Sequence, residues 1–313
     1  MHRKSTIAWK TSRMNTNCFC SPEGLGASSM NNYRKAWEKI DSPETRPVYA
    51  RHIVEMDYGA FKAKVIAQDP DFVNEVVESL YAGDIYLLKQ GFPKKFMTDL
   101  LEKVYSIWSQ TPSSFHKMLE GCPDYHRAQD EEAAKKYVFE SVRHSYYWFH
   151  WNGDPMRVIP EIMKRWRIFK FLGGYRFDEY EKNTPKDGVV DRFQVARYLP
   201  GIGRSETHSD PYQNQKFFIS AFMSKRGIDY EKGGFYVVGP GNRLIDLEDR
   251  IEVGDLGIGF ATVMHGVNRI DPEKKPDWTK KDGRWWLGLY SNSTDHVENR
   301  ATGQPVRVAL KTE

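Results

Sequence analysis

Apolar positions recur at helical spacing through the first half of the chain and at strand spacing through much of the second. Asp69-Pro70 supplies an N-cap and a first-turn proline; Phe72, Val73, Val76, Val77 and Leu80 then share one face, and Gly83 ends the run, which predicts a helix. Ile85-Tyr86-Leu87-Leu88 is a short apolar run of strand type. Beyond Gly91-Phe92-Pro93, a second helix is predicted from Phe96, Leu100, Leu101, Val104 and Ile107. Asp130 to Arg143, acidic at its start and basic at its end, suits a third helix and its dipole. A fourth starts at Asp154-Pro155, carries Val158, Ile159, Ile162, Met163, Trp166 and Phe169, and stops at Gly173-Gly174. Residues 1–45, rich in Ser, Asn, Lys and Gly, show no period and are expected to form an extended or poorly ordered arm.

From about residue 190 the texture changes. Phe193–Leu199, Lys216–Phe222, Gly234–Val238, Gly257–Val263 and Arg284–Tyr290 are short alternating or apolar runs separated by Gly, Pro, Asp and Asn. Such spacing predicts an antiparallel β sandwich or barrel. The fold class is therefore α+β: an arm (1–45), a mainly helical supporting region (46–189), a β core (190–296) and a C-terminal tail (297–313). There is no internal repeat, no Gly-x-Gly-x-x-Gly between strand and helix and no Walker-type loop, which excludes Rossmann and P-loop readings.

Composition narrows the class further. The 313 residues are 40% hydrophobic, 28% charged and 14% aromatic, globular values with an aromatic surplus. Lys+Arg 46 against Asp+Glu 42 leaves +4, a weak field that permits an anionic small substrate without marking a nucleic-acid binder. Three cysteines (Cys18, Cys20, Cys122) make no secretory disulfide framework, and no signal peptide or eighteen-residue apolar span is present. The expected compartment is cytoplasmic, with no membrane and no nucleic-acid partner; the oligomeric state stays open.

The chemistry concentrates after Gln194-Val195-Ala196-Arg197-Tyr198. On a strand, residues two apart project to one side, so His208 and Asp210 can aim at a single point. An imidazole and a carboxylate so placed are two of the three ligands of a 2-His-1-carboxylate triad. His265, in Val263-Met264-His265-Gly266-Val267, offers the third from a distant strand. A His-x-Asp pair alone is weak, since nine histidines give about 0.4 such pairs by accident at average usage. The order carries more weight: a strand ending in Arg197-Tyr198, a Gly-rich loop, His208-x-Asp210, Gly233-Gly234-Phe235, Gly254-Asp255, His265-Gly266-Val267, then Arg284 opening a strand.

Over roughly residues 190–295 this order resembles the Fe(II)- and 2-oxoglutarate-dependent oxygenase superfamily, in particular its prolyl-4-hydroxylase-like and phytanoyl-type members. The resemblance implies a double-stranded β-helix (jelly-roll) core with the helical N-terminal region packed on it. It implies iron ligation by His208, Asp210 and His265, with 2-oxoglutarate and O2 as cosubstrates. It further implies that Arg284 pairs with the far carboxylate of 2-oxoglutarate, for which a guanidinium fork is well matched. Arg284 lies nineteen positions after His265, beyond a hydrophilic insert, where a shorter spacing is usual in the superfamily. Arg269 is the rival, but it sits where the chain turns into the insert, whereas Arg284–Tyr290 has a strand pattern. Tyr198 could donate its hydroxyl to a 2-oxoglutarate carboxylate or be a core tyrosine satisfied elsewhere; Gln194 is a candidate of the same kind.

The implied activity is hydroxylation or desaturation of an unactivated C–H bond. The polar loop Pro211–Lys216, with Arg192, Arg197 and Arg204 nearby, suits a polar or anionic small molecule such as an amino acid, sugar acid or natural-product intermediate; the same groups could equally be solvated loop residues. A peptide or protein hydroxylase of the same superfamily and a non-catalytic, metal-binding cupin-like barrel are the alternatives. His296-Val297-Glu298 has no histidine after it and is expected at the surface. Cys18-x-Cys20 is too tight for a structural zinc site. His144 and His150 flank the aromatic run Tyr146–Phe149, expected in the core or an interface, or as one wall of a substrate pocket.

Overall fold

A computed structural model describes residues 31–311. In chain order the elements are α1 (Asn32–Ile40), β1 (Ile53–Asp57), α2 (Tyr58–Ala67), α3 (Pro70–Tyr81), β2 (Ile85–Lys89), α4 (Lys94–Gln110), β3 (Tyr125–Gln129), α5 (Glu131–Ala134), β4 (Ser141–Trp148) and α6 (Ile159–Leu172). Then come β5 (Val189–Tyr198), β6 (Arg204–Ser209), β7 (Phe217–Phe222), β8 (Gly234–Gly239), β9 (Arg243–Asp246), β10 (Leu256–Phe260), β11 (His265–Asn268), β12 (Arg284–Ser293) and β13 (Gln304–Pro305).

Strands β5 to β12 fall into two antiparallel layers, switching layer at each step except from β8 to β9. One carries β10-β7-β12-β5, the other β6-β11-β8-β9. This is the double-stranded β-helix of a jelly roll, within an α+β chain. Strand β4 joins the layers, pairing with β5 along His144–Trp148 and with β6 at Ser141 and Val142. β2 and β1 extend the first layer beyond β10, with β1–β2 the one parallel pair among the described strands. Period-2 alternation sorts the faces. Trp285, Leu287 and Leu289 of β12 turn outward under the helices, and Arg284, Trp286, Gly288 and Tyr290 turn inward. Trp285 stacks on Trp108 of α4 at 4.7 Å, and Phe193 of β5 meets Trp166 of α6 edge-on at 5.4 Å. Each such side chain removed from water contributes about 2–3 kcal/mol, so the helical layer and the sheet stabilise each other.

The helices follow their local signals. Asp69 accepts from the Asp71 and Phe72 amides, and Val73, Val76, Val77 and Leu80 are buried against the sheet. Gly83 closes the turn at φ +96°, where a Cβ would sit 2.3 Å from the Tyr49 carbonyl oxygen. Asp154 accepts from the Val158 and Ile159 amides, so α6 starts a turn later than expected.

Four expectations are corrected. Residues 1–30 of the expected arm lie outside the described residues, but Asn32–Ile40 is a capped helix. Its Tyr33 and Trp37 are buried, and the indole donates to the Leu172 carbonyl at 2.8 Å. Its buried apolar residues, Tyr33, Ala36 and Trp37, are spaced i, i+3, i+4 but are set in a mostly polar and charged stretch. The expected third helix shrinks to Glu131–Ala134, capped by Asp130; Val142 and the aromatics after it favour β4. The sequence boundary near 190 is not a structural one, because β2 and β4 of the supposedly helical region complete the first layer. Likewise the tail at 297–313 includes β13, paired to β6. No helix among the described residues is long and apolar enough to cross a membrane.

His144 lies on the outer face of β4, stacked on Trp108 at 3.6 Å. It shares a 2.8 Å hydrogen bond with His126, whose other nitrogen donates to the Thr111 carbonyl. Burial holds His144 down to about 2, with the nearby His126 and Arg197 adding to the effect. An unfolded chain protonates this residue near pH 6.5 while the folded one does not, so its contribution to stability is full above that pH and falls as pH drops. His144→Gln can still donate to His126. Its stability relative to the native protein should therefore improve by about 1.6 kcal/mol in total between pH 6.5 and 5. Guanidinium unfolding of both proteins across that range checks this, and a pH-independent difference would contradict it.

Candidate metal centre

Register brings the three ligand candidates together. β11 opens at His265, which pairs directly opposite His208 on β6. Asp210 follows β6 and is fixed by its amide, which donates to the Ala261 carbonyl at 2.9 Å just past β10. One ligand atom from each of His208, Asp210 and His265 lies within 4.8 Å of the others. His208 Nε2 is 3.8 Å from Asp210 Oδ1, and His265 Nε2 is 3.8 Å from Asp210 Oδ2.

The outer nitrogens determine what the inner ones can do. His208 Nδ1 faces the Glu206 carbonyl at 2.8 Å, and His265 Nδ1 faces the Val263 carbonyl at 2.9 Å. A carbonyl only accepts, so both rings carry their proton on Nδ1 and present an Nε2 lone pair to the carboxylate. Asp210 Oδ2 is buried with no hydrogen-bond partner. Burial, reinforced by His265, keeps His208 well below the usual imidazole range, and burial pushes Asp210 above the usual carboxylate range. Two imidazole lone pairs thus converge on a carboxylate, and this donor set fits a divalent transition metal held by two imidazoles and one carboxylate. Phe139 stacks on His208 at 4.1 Å and Phe218 lies 4.4 Å from His265, which fixes both rings.

The centre opens into a cavity of about 390 Å³, within the range of small-molecule pockets. His208, Asp210, Arg143, Arg192, Gln194 and Tyr290 are on its wall. Five basic side chains line it (Arg127, Lys136, Arg143, Arg192, Arg300) against two acidic ones (Asp210, Asp295). Asp295 is engaged by Arg300 at 2.9 Å.

The other candidates are distributed unevenly. Gln194 lies on the wall, accepting from Arg192 Nη2 at 3.1 Å. Tyr198 is buried on the same strand face, opposite Arg284, and does not reach the wall. Arg284 is buried, does not reach the wall either, and already has a carboxylate: its Nε donates to Glu248 Oε1 at 2.5 Å. Arg269 lies outside, 3.6 Å from Glu131. Of the three arginines near the loop only Arg192 faces the cavity. Arg197 points outward and donates to the Asp277 carbonyl, and Arg204 pairs with Glu131 and Glu140. Gln215 and Asn214 pin the loop after Asp210 to β7 and β12. Within the aromatic run, Tyr147 lines the cavity while Tyr146 and Trp148 join the core. His296 pairs with Glu120 at the surface, as expected.

Arg143 and Tyr290 were not anticipated from the sequence. The signal for Arg143 was the alternation Ser141, Arg143, Ser145, Tyr147, hidden by the helix expected to end at Arg143.

No protein-family model and no curated protein matches the chain. Among solved structures it is similar to a Pseudomonas putida prolyl-4-hydroxylase at 13% identity, over 69% of this chain and 95% of that one, with a TM-score of 0.42. It is also similar to JOX2 in complex with 2OG, Fe and JA, at 15% identity, 91% and 84% coverage and a TM-score of 0.46. An oxidoreductase of the 2OG-Fe(II) oxygenase family from Burkholderia pseudomallei matches at 13% identity, 74% and 92% coverage and a TM-score of 0.40. Such distant likenesses lend the site no residue roles; those come from its own geometry.

Proposed function

We propose that this protein is an Fe(II)- and 2-oxoglutarate-dependent oxygenase that hydroxylates or desaturates a C–H bond of a small polar or anionic molecule. The observation that carries the reading is the pair of Nδ1-protonated imidazoles whose Nε2 lone pairs face an unpartnered buried carboxylate at the wall of a cavity. His208, Asp210 and His265 would hold the iron, which together with 2-oxoglutarate and O2 supplies the oxidising chemistry when bound. The chain's part is to bind, orient and exclude water. Phe139 and Phe218 fix the ligand rings, and the wall brings polar groups to bear on the bond to be oxidised. The excess of basic over acidic lining favours anions, and the cavity volume favours a small molecule over a folded protein surface.

The anaerobic visible spectrum of the protein with Fe(II), before and after 2-oxoglutarate, tests this. A charge-transfer band that needs both additions is expected, together with slow succinate formation in air. Stoichiometric iron binding without a band and without 2-oxoglutarate consumption would overturn the proposal in favour of a non-catalytic metal-binding barrel. Turnover on peptides, with none on small carboxylates, would overturn the small-molecule half alone.

A further inference from the structure

We propose that Arg143, and not Arg284, receives the distal carboxylate of the 2-oxo dicarboxylate cosubstrate; the inference rests on the oxygenase reading above. Arg284 is already committed. Glu248 accepts from Arg284 Nε, from the Tyr230 hydroxyl and from the Phe235 amide, each at 2.5 Å, and its side chain is 1% exposed. The guanidinium is closed in by the Phe222 and Phe235 rings, 5.7 and 5.8 Å from its carbon. Gly234 leaves the space that Glu248 fills, since a Cβ there would lie 2.2 Å from Glu248 Cγ. A second carboxylate approaching Arg284 would meet Glu248 in a low-dielectric interior, and drawing Arg284 away would strand that acid.

Arg143 presents the opposite situation. It lies on the cavity wall with His208 and Asp210, near enough for its charge to act on both. Its Nε is buried without a hydrogen-bond partner, and no carboxylate among the described residues pairs with it. The polar groups closest to it are phenols: Tyr198, buried behind the wall and hydrogen-bonded to the guanidinium, and Tyr147 and Tyr290 on the wall, which can donate to the oxygens of a bound carboxylate; none of the three carries a carboxylate's charge. A guanidinium held this way, beside a metal centre and without a counter-ion, is matched to a carboxylate delivered by a ligand. Arg192 is the weaker candidate. Its Nε is also buried without a partner, but its Nη2 donates to Gln194 and its guanidinium is 5.1 and 5.5 Å from the Tyr147 and Tyr290 rings, so more of it is already engaged.

The test compares two ligands on the Ni(II)-loaded protein by calorimetry, without turnover. 2-Oxoglutarate and 2-oxobutyrate share the chelating 2-oxo acid, but only the first has a distal carboxylate. The native protein should prefer 2-oxoglutarate by about 100-fold, a charge-assisted bidentate contact. Arg143→Met should reduce the preference to a few-fold, and Arg143→Lys should restore part of it. The paired variant Arg284→Met/Glu248→Met removes both buried charges together and should keep the preference. The inference is overturned if the paired variant or Arg192→Met loses the preference while Arg143→Met keeps it, or if the native protein shows none. Nickel binding with no affinity for either acid would instead overturn the oxygenase reading itself.

Discussion

His265→Ala should abolish stoichiometric Fe(II) binding and lower 2-oxoglutarate turnover by at least about 1000-fold, equivalent to roughly 4 kcal/mol of lost transition-state stabilisation. The expectation follows from how little the site has to spare. Its three donors each contribute one lone pair, and the rings have no freedom to compensate, since His208 Nδ1 is tied to Glu206 and its face to Phe139. Removing His265 leaves one imidazole and one carboxylate, a set that binds first-row metals weakly and without a fixed geometry. The fold should survive, because β11 keeps its backbone pairing to β6 and β8 and the lost ring packs on Phe218 and His208, each at 4.4 Å, at the edge of the cluster. His296→Ala, at an exposed histidine paired with Glu120, should leave iron content and turnover unchanged. Iron analysis and succinate formation decide the matter, and undiminished iron in His265→Ala would place the metal elsewhere.

Lys170→Met should destabilise the protein by about 3–5 kcal/mol at pH 8, on the order of 10 °C in Tm. Lys170 of α6 and Asp191 of β5 form an ion pair at 2.5 Å with side chains 4% and 2% exposed. The ammonium also donates to the Glu179 carbonyl, and the carboxylate accepts from Ser291 of β12 at 2.9 Å. The pair therefore fastens the helical layer to two strands of the first sheet. Without Lys170 the carboxylate is buried uncompensated. Burial already pushes Asp191 up to about 6 in spite of Lys170. Because its folded pKa lies above its unfolded one, the folded state binds the extra proton. The penalty is then full above the folded pKa and recedes as pH falls towards 4. Lys170→Met should therefore recover much of its loss at pH 5, and Lys170→Met/Asp191→Leu should recover it at pH 8. Thermal unfolding at the two pH values would refute this if Lys170→Met matched the native protein at pH 8.

Where alternation and helical period act locally, the sequence is legible. β7, β8 and β12 follow from their apolar runs, α3 and α4 from their spacing, and the triad from residue types that only a β core brings together. The losses are equally physical. The α1 helix is nine residues long and sets its buried Tyr33, Ala36 and Trp37 among mostly charged or polar residues, in a Ser/Asn/Lys-rich stretch whose composition masks it. The charge gradient of 130–143 is real, but it belongs to a single capped turn followed by a strand. Arg284 has the residue type and strand position of an anion receptor. Its partner Glu248 sits in a turn 36 residues away, and only tertiary packing shows that the charge is already matched. Pattern alone reports what a side chain can bind, whereas three-dimensional packing reports what it is already bound to.

The strip that carries β13 has a consequence for how this protein could diversify. Gln304 and Pro305 lie against Ser209 and His208, Arg300–Gly303 form part of the cavity wall, and Val306, Val308 and Leu310 pack on a small apolar cluster apart from the main core. One wall of the binding space is thus appended to the edge of the barrel and is not woven through it. Exchanges at Arg300–Gly303, just before the strip pairs with β6, can reshape what enters the cavity while leaving the pairing of β6 with β11 in place. The boundary of the binding space is built from a different stretch of chain than the His208–Asp210–His265 cluster, and exchanges at Arg300–Gly303 are expected to alter which molecules enter before they alter the cluster itself.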